Sequence, residues 1–103
     1  MILVISGTNR KGSNSVRLAR HCQKVLTEKG AQTQLLDLAE LPIEVLSTDA
    51  YANKPKGWQR FQDAVDQAQA LWVVIPEYNG SYPGALKMFI DMLEHPNSLQ
   101  GIP

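Results

Sequence analysis

The segment that decides the fold is Met1-Ile2-Leu3-Val4-Ile5-Ser6-Gly7-Thr8-Asn9-Arg10-Lys11-Gly12-Ser13-Asn14-Ser15. It opens with a continuous apolar run, which is typical of a β-strand buried on both faces of a parallel sheet. A polar loop follows that run. Ser13 or Asn14 can cap a helix that we expect to continue to about Lys29, since Gly30 is a natural stop. The segment therefore predicts a strand, a loop and a helix in that order.

The same order of strand, loop and helix occurs twice more along the chain. A second strand is predicted at Thr33–Leu38, and apolar side chains recur at helical spacing from Trp58 to Ala68. A third strand is predicted at Leu71–Ile75, and a third helix at Gly84–Glu94. Alternating apolar strands and helices indicate a parallel sheet covered by helices on both faces. The predicted fold class is therefore α/β, with three α/β/α layers.

The length of the chain limits the size of this sheet. Its 103 residues accommodate one domain, residues 1–103, with three strand–helix units. A complete doubly wound sheet has about five or six strands and would need on the order of 160–200 residues. We therefore expect an incomplete sheet, in a truncated chain that pairing with a second copy could stabilise. A complete three-stranded domain is the alternative, although the third strand is too apolar for an exposed edge.

Composition and charge disfavour several classes of function. The ten basic and ten acidic side chains give a formal net charge of zero, whereas nucleic-acid binding needs an excess of positive charge. Cys22 is the single cysteine, and with only two histidines the chain is a poor source of disulfides or metal ligands. The longest apolar run, 70–75, is too short to cross a membrane, and the amino terminus lacks a signal-peptide pattern. We expect a cytoplasmic protein.

The loop after the first strand has the residue types of a phosphate-binding site. Ser6–Ser15 combines hydroxyl, amide and basic side chains, and it leads into a helix amino terminus, which offers free backbone N–H groups. Gly7 and Gly12 have the spacing of a Walker A loop, but Ser13 stands where that loop requires lysine. The G-x-G-x-x-G pattern of dinucleotide-binding folds is absent too. A loop for one terminal phosphate is the remaining functional interpretation, and a polar turn with a good helix cap is the structural one.

The loop after the third strand is the second unusual segment, Pro76-Glu77-Tyr78-Asn79-Gly80-Ser81-Tyr82-Pro83-Gly84. Open α/β sheets bind ligands beyond the carboxyl ends of their strands, where the strand order reverses. If the strand order is 2-1-3, this loop faces the loop after the first strand across that point. Tyr78 and Tyr82 offer flat surfaces to a heteroaromatic ring, and a glycine-containing turn offers backbone N–H groups. The alternative is a rigid turn with aromatic packing.

Together the two loops resemble the motifs of the NADPH-dependent FMN reductase family, a branch of the flavodoxin-like superfamily that includes quinone, chromate and azo-dye reductases. The matching segments are Gly7–Ser15 and Pro76–Lys87, and their strand contexts agree as well. The resemblance implies a flavodoxin-like sheet, of which this chain would hold strands 2-1-3 of an expected 2-1-3-4-5. It also implies FMN as cofactor, NADPH or NADH as co-substrate, a small-molecule electron acceptor, and a homodimer or homotetramer.

The resemblance further implies which residues contact the cofactor. Around the FMN phosphate these would be Thr8, Arg10, Ser13, Asn14 and Ser15. Lining the isoalloxazine ring they would be Pro76, Glu77, Tyr78, Asn79, Gly80 and Ser81. No catalytic side chain is implied, because the flavin itself exchanges hydride in a ping-pong cycle. The third helix departs from the family at Met88 and Met92, where asparagine and tryptophan are common.

Two other functions stay open at this point. The chain could be an FMN-binding electron carrier without NAD(P)H activity of its own, or an inactive amino-terminal fragment of a reductase. Outside the two loops, bulky and reactive side chains are expected to be structural. We expect Cys22 and Trp72 in the core, and Trp58 in helix packing.

Overall fold

The structure, a computed structural model, describes residues 1–103 and contains three strands and three α-helices. In chain order the elements are β1 (Ile2–Ser6), α1 (Asn14–Glu28), β2 (Thr33–Asp37), α2 (Gln59–Asp66), β3 (Ala70–Val74) and α3 (Gly84–Met92). The connection from β2 to α2 contains three short 3-10 turns, at Leu38–Glu40, Ile43–Leu46 and Thr48–Tyr51. None of the helices combines the length and the apolar character that crossing a membrane requires. The three strands and three α-helices correspond to the three predicted strand–helix units.

Local hydrogen bonds set the end of β2, which differs from its predicted end, and the start of α1, which agrees with a predicted cap residue. β2 ends at Asp37 instead of Leu38, because the Asp37 carboxylate accepts the Ala39 N–H at 3.1 Å and starts the first 3-10 turn. α1 begins at Asn14 because the Ser13 side chain accepts the Val16 N–H, which makes Ser13 the N-cap residue. Short polar side chains at these positions therefore set where regular structure starts and stops.

The sheet has the strand order β2-β1-β3, and both pairings are parallel. In the register, Val4 of β1 lies between Leu35 of β2 and Trp72 of β3. This confirms the predicted order 2-1-3 and a partial flavodoxin-like α/β fold. Because the strands are parallel, their carboxyl ends all lie at one edge of the sheet, and the loops after β1 and β3 leave from neighbouring strands.

Helices cover both faces of the sheet. On one face, Leu3 and Ile5 of β1 join a buried cluster with side chains from α2 and α3. The centre of this cluster is aromatic, with ring centroids 5.9 Å apart for Trp58 and Phe61 and 6.0 Å apart for Trp58 and Phe89. α1 packs on the opposite face, mainly over β1 and β2. The prediction that Trp58 is a packing residue is confirmed, since it is 1% exposed.

One expectation about the third strand is wrong. Trp72 was expected in the core, but it is 48% exposed. It lies on the α1 face of an edge strand, and α1 packs mainly over the other two strands. β3 forms the edge of the sheet despite its apolar sequence, and of the residues beyond α3 only Pro103 bonds to it, accepting the Leu71 N–H at 2.9 Å. Cys22, also expected in the core, is only partly buried.

Candidate functional site

The carboxyl ends of β1 and β3 lie side by side, and the loops that follow them form the candidate site. We call residues 7–13 the first loop and residues 75–83 the third loop. Gly7 donates its backbone N–H to the Val74 carbonyl over 2.9 Å, which ties the start of the first loop to the end of β3. A Cβ atom at position 7 would lie 2.9 Å from that same oxygen, so this close approach requires glycine.

The amino terminus of α1 contributes backbone donors to the site. The Ser13 hydroxyl accepts the Val16 N–H at 3.1 Å and satisfies one donor of the first turn. The N–H groups of Asn14 and Ser15 also lie at this end, where a helix has no acceptors of its own to offer. No acidic side chain occupies the first turn, so nothing within the helix neutralises the positive end of its dipole.

A polar cavity of about 280 Å³ lies where α1, the first loop and the third loop meet. It is lined by Arg10, Lys11, Gly12, Ser13, Asn14, Ser15, Pro76 and Tyr78. The lining holds two basic side chains and no carboxylate, which is the charge balance of an anion site. The structure thus brings six predicted cofactor contacts together around one space: Arg10, Ser13, Asn14, Ser15, Pro76 and Tyr78.

Thr8, also predicted beside the phosphate, lies behind the cavity instead of in its wall. Its side chain is fully buried. The Thr8 hydroxyl lies 2.6 Å from the Tyr78 hydroxyl and accepts the backbone N–H of Arg10 at 3.3 Å. Thr8 therefore joins the first loop to the third loop through a side-chain contact that the sequence alone does not indicate.

The tip of the third loop is a tight turn made by Asn79 and Gly80. Both residues have positive φ, 52° and 79°, and two backbone hydrogen bonds of 2.8 and 3.1 Å join Tyr78 and Ser81 across the turn. This is the pattern of a type I′ turn, for which Asn-Gly is the preferred pair. The Glu77 carboxylate accepts the Gly80 N–H and steadies the turn. Four predicted ring contacts, Glu77, Asn79, Gly80 and Ser81, thus lie in this exposed turn and outside the lining of the polar cavity.

A second cavity, of about 230 Å³, lies at the same edge of the sheet and was not predicted from the sequence. Its walls are mostly apolar and come from the segment after β2 and the start of α3, with one residue from the first loop. They are formed by Asn9, Ala39, Leu41, Pro42, Ile43, Val45, Leu46, Gly84, Ala85 and Met88. The apolar residues between 41 and 46 could have predicted this cavity, because they follow the carboxyl end of a strand, where open α/β sheets bind ligands.

The polar cavity fits the phosphate end of FMN by the chemistry of its donors. Basic side chains, hydroxyl groups and helix N–H groups are the donors that hold phosphate in proteins. Ser6 Oγ, at the end of β1, is buried without a hydrogen-bond partner, so the base of the first loop keeps an unused hydroxyl. No metal-binding group of three or more His, Cys, Asp or Glu side chains is present.

Comparison with known proteins gives one family for the whole chain. The model of the NADPH-dependent FMN reductase family matches residues 1–103. The chain is 33% identical over 95 residues to a quinone reductase of Pseudomonas putida. That alignment covers 92% of this chain and 50% of the relative. It is 36% identical over 97 residues to an NAD(P)H-dependent FMN reductase of Pseudomonas aeruginosa, covering 92% of this chain and 50% of the relative.

Solved structures give the same result. The structure is similar to FerB, a flavoenzyme NAD(P)H:(acceptor) oxidoreductase from Paracoccus denitrificans, with a TM-score of 0.79 and 32% sequence identity. That alignment covers 99% of this chain and 56% of FerB. The chain therefore spans about half the length of the relatives that it matches.

Proposed function

Because this chain belongs to the NADPH-dependent FMN reductase family, we propose that it forms a single FMN-binding domain of an NAD(P)H oxidoreductase that reduces quinones, azo dyes or chromate. The observation that carries the proposal is the polar cavity. Its walls come from the first loop, the start of α1 and the third loop, and they include two basic side chains and no carboxylate. This arrangement supports binding of a phosphate ester at the carboxyl edge of a parallel sheet.

The first loop and α1 would hold the phosphate. Arg10 supplies charge-assisted hydrogen bonds from its guanidinium, and the Asn14 and Ser15 N–H groups point from the positive end of α1. Ser13 caps α1 and so fixes the direction of those N–H groups. In this assignment Thr8 acts from behind, through its bonds to Arg10 and Tyr78.

The third loop would orient the ring of the cofactor. Pro76 and Tyr78 reach the polar cavity, while the turn at Asn79 and Gly80 presents backbone groups beyond it. Glu77 holds that turn through the Gly80 N–H, so the backbone groups are fixed before a ligand arrives. Bound FMN would supply the redox chemistry, accepting a hydride from NADPH or NADH and passing electrons to a small-molecule acceptor in a ping-pong cycle. The chain's own residues bind and orient, and none is required to move a proton.

The apolar side chains after β2 support association of the protein with itself. Ile43 and Leu46 are 75% and 66% exposed, and Tyr51 in the next 3-10 turn is exposed as well. Neighbouring exposed apolar side chains favour a protein interface. These side chains are in keeping with the homodimer or homotetramer that the family resemblance implies, which we propose together with a cytoplasmic location. A melting temperature that rises with protein concentration would support self-association, and a constant one would refute it.

Flavin titration with a charge-matched control tests the proposed cofactor. Arg10→Ala should weaken FMN binding by roughly ten- to a hundredfold, as expected for loss of a charge-assisted hydrogen bond. Arg20→Ala removes the same charge from an exposed position on α1 and should leave FMN affinity unchanged. Equal losses in both variants, or no FMN binding by the wild-type chain, would contradict the assignment.

Oxidation of NADPH tests the proposed activity separately. The FMN-loaded protein should oxidise NADPH faster in the presence of a quinone than free FMN does at the same concentration. Binding of FMN without such stimulation would make the protein an electron carrier. Absence of both binding and stimulation would leave the chain as an inactive part of a reductase.

A further inference from the structure

We propose that the Tyr78 hydroxyl belongs to the phosphate end of the cofactor site, as the last donor of a hydrogen-bond chain that runs from the Arg10 backbone through Thr8. This inference rests on the proposed function and deepens it, since the resemblance alone places Tyr78 against the isoalloxazine ring. The hydroxyl would then help the protein to distinguish a flavin that carries a phosphate from one that does not.

Tyr78 lines the polar cavity, whereas most of the third loop does not. Only Pro76 and Tyr78 from this loop line the polar cavity, and they share it with Arg10, Lys11 and the start of α1. The Tyr78 oxygen lies 2.6 Å from Thr8 Oγ1, across 70 residues of sequence. The phenolic end of the side chain is therefore anchored on the first loop, at the base of the proposed phosphate site.

Either hydroxyl could donate in the bond between Thr8 and Tyr78, and the burial of Thr8 favours Thr8 as the donor. The two hydroxyls carry one proton each, and a single proton forms the bond between them. Thr8 already accepts the Arg10 N–H at 3.3 Å, which strengthens its own O–H as a donor. Thr8 is also fully buried, so an O–H that did not point to Tyr78 would carry the cost of a buried unsatisfied donor.

The hydroxyl proton of Tyr78 is then not used in the bond to Thr8. Tyr78 is only partly buried and lines the cavity, so its free O–H can reach a bound group there. A phenol that donates to a phosphate oxygen makes a charge-assisted hydrogen bond, which is stronger than a neutral one. The same chain of bonds also holds the first loop in place, because it links Arg10 and Thr8 to the third loop.

The test compares FMN with riboflavin, which has the same ring and no phosphate. Tyr78→Phe removes one oxygen and should lower FMN affinity by roughly ten- to a hundredfold, the effect of one charge-assisted hydrogen bond. Its riboflavin affinity should stay near the wild-type value. Thr27→Val removes a hydroxyl from an exposed hydroxyl pair at the far end of α1 and should change neither affinity.

Variants at Thr8 separate a donor role from a purely structural one. Thr8→Ser keeps the hydroxyl and should keep the wild-type ratio of FMN to riboflavin affinity. Thr8→Val removes the hydroxyl, frees Tyr78 from its anchor and should lower that ratio as Tyr78→Phe does. Equal loss of both flavins in Tyr78→Phe would place the hydroxyl at the ring and overturn the inference, while the proposed function would stand.

Inorganic phosphate tests the inference without a flavin. Phosphate should raise the melting temperature of the wild-type protein above that in chloride at equal ionic strength, and the rise should be smaller in Tyr78→Phe. If the wild-type protein binds neither flavin but shows this difference, the proposed function fails and the anion site remains. No stabilisation by phosphate and no preference for FMN over riboflavin would overturn the inference.

Discussion

Gly7 and Val74 meet backbone to backbone, with a 2.9 Å hydrogen bond from the Gly7 N–H to the Val74 carbonyl. The contact fixes where the first loop leaves the sheet, because it holds the loop against the end of β3. Everything proposed about the site depends on this placement, since the polar cavity uses residues from both loops.

Gly7→Ala should destabilise the protein by about 1–3 kcal/mol, the usual cost of forcing atoms into a packed position. The added Cβ would lie 2.9 Å from the Val74 oxygen, which is backbone and cannot turn aside. Urea unfolding measures the change. Gly84→Ala is the matched control, because nothing lies within 4 Å of its added Cβ at the start of α3. The control should be neutral or stabilising by roughly 0.5–1 kcal/mol, and a similar loss in both variants would refute the packing argument.

Ser13→Asp should separate helix capping from anion binding. Aspartate is as good an N-cap as serine and is favourable at the positive end of a helix, so stability should be kept or slightly raised. The new carboxylate would stand in the lining of the polar cavity and repel a phosphate. FMN binding should therefore be lost in a protein whose thermal unfolding is unimpaired. Retained FMN affinity would show that the phosphate lies elsewhere.

Ser13→Ala, unlike Ser13→Asp, should lower the stability of the protein. Loss of the 3.1 Å bond from the Val16 N–H should cost about 1 kcal/mol, as typical for removal of an N-cap side chain. Thermal unfolding of Ser13→Ala and Ser13→Asp compares the stability that the two side chains give at the same position. Equal stability of the two variants would mean that the cap contributes little to α1.

The strand–helix units and the two loops of the site could be predicted from the sequence, whereas the strand order 2-1-3 was implied by the family resemblance. Apolar runs followed by polar loops define β1 and β3, and the parallel arrangement then places both loops at one edge. The Asn79-Gly80 turn carried a clear signal too, because this pair favours the positive φ values that the turn requires. These features depend on local sequence, so local reasoning reaches them.

Other features could not be predicted, because they depend on the three-dimensional neighbours of a residue. The sequence of β3 is apolar, but the exposure of Trp72 depends on the position of β3 at the edge of the sheet. The bond between Thr8 and Tyr78 depends on the register of β1 against β3 and on two side-chain conformations. Nothing near either residue in the sequence indicates its partner.

The two tryptophans should differ in their access to solvent. Trp58 is 1% exposed, while Trp72 is 48% exposed. Trp58→Phe leaves Trp72 as the only source of indole emission, which should be red-shifted and readily quenched by acrylamide. Trp72→Phe leaves Trp58, whose emission should be blue-shifted and resistant to quenching. Equal quenching of the two variants would contradict the described packing of α1 and β3.

Gln62 should be important for the segment that follows α3. It is buried, its amide nitrogen donates to Ser98 Oγ at 2.6 Å, and its oxygen accepts the Glu94 N–H at 3.2 Å. Gln62→Leu should destabilise the protein by about 1–3 kcal/mol, because buried partners lose their hydrogen bonds. Gln67→Leu, at an exposed position just after α2, is the control and should have little effect. Hydrogen exchange at the Glu94 amide should rise only in Gln62→Leu, and an unchanged rate would contradict this role.

The most direct test of the central claim is native mass spectrometry of the protein mixed with equal amounts of FMN and riboflavin. The measurement reads the assembly state and the bound ligand together. The account predicts one FMN retained per chain, with riboflavin lost, because the phosphate makes the charge-assisted contacts in the polar cavity. A chain that retains neither flavin, or that retains both equally, would contradict the claim that the first loop, α1 and Tyr78 form an FMN phosphate site.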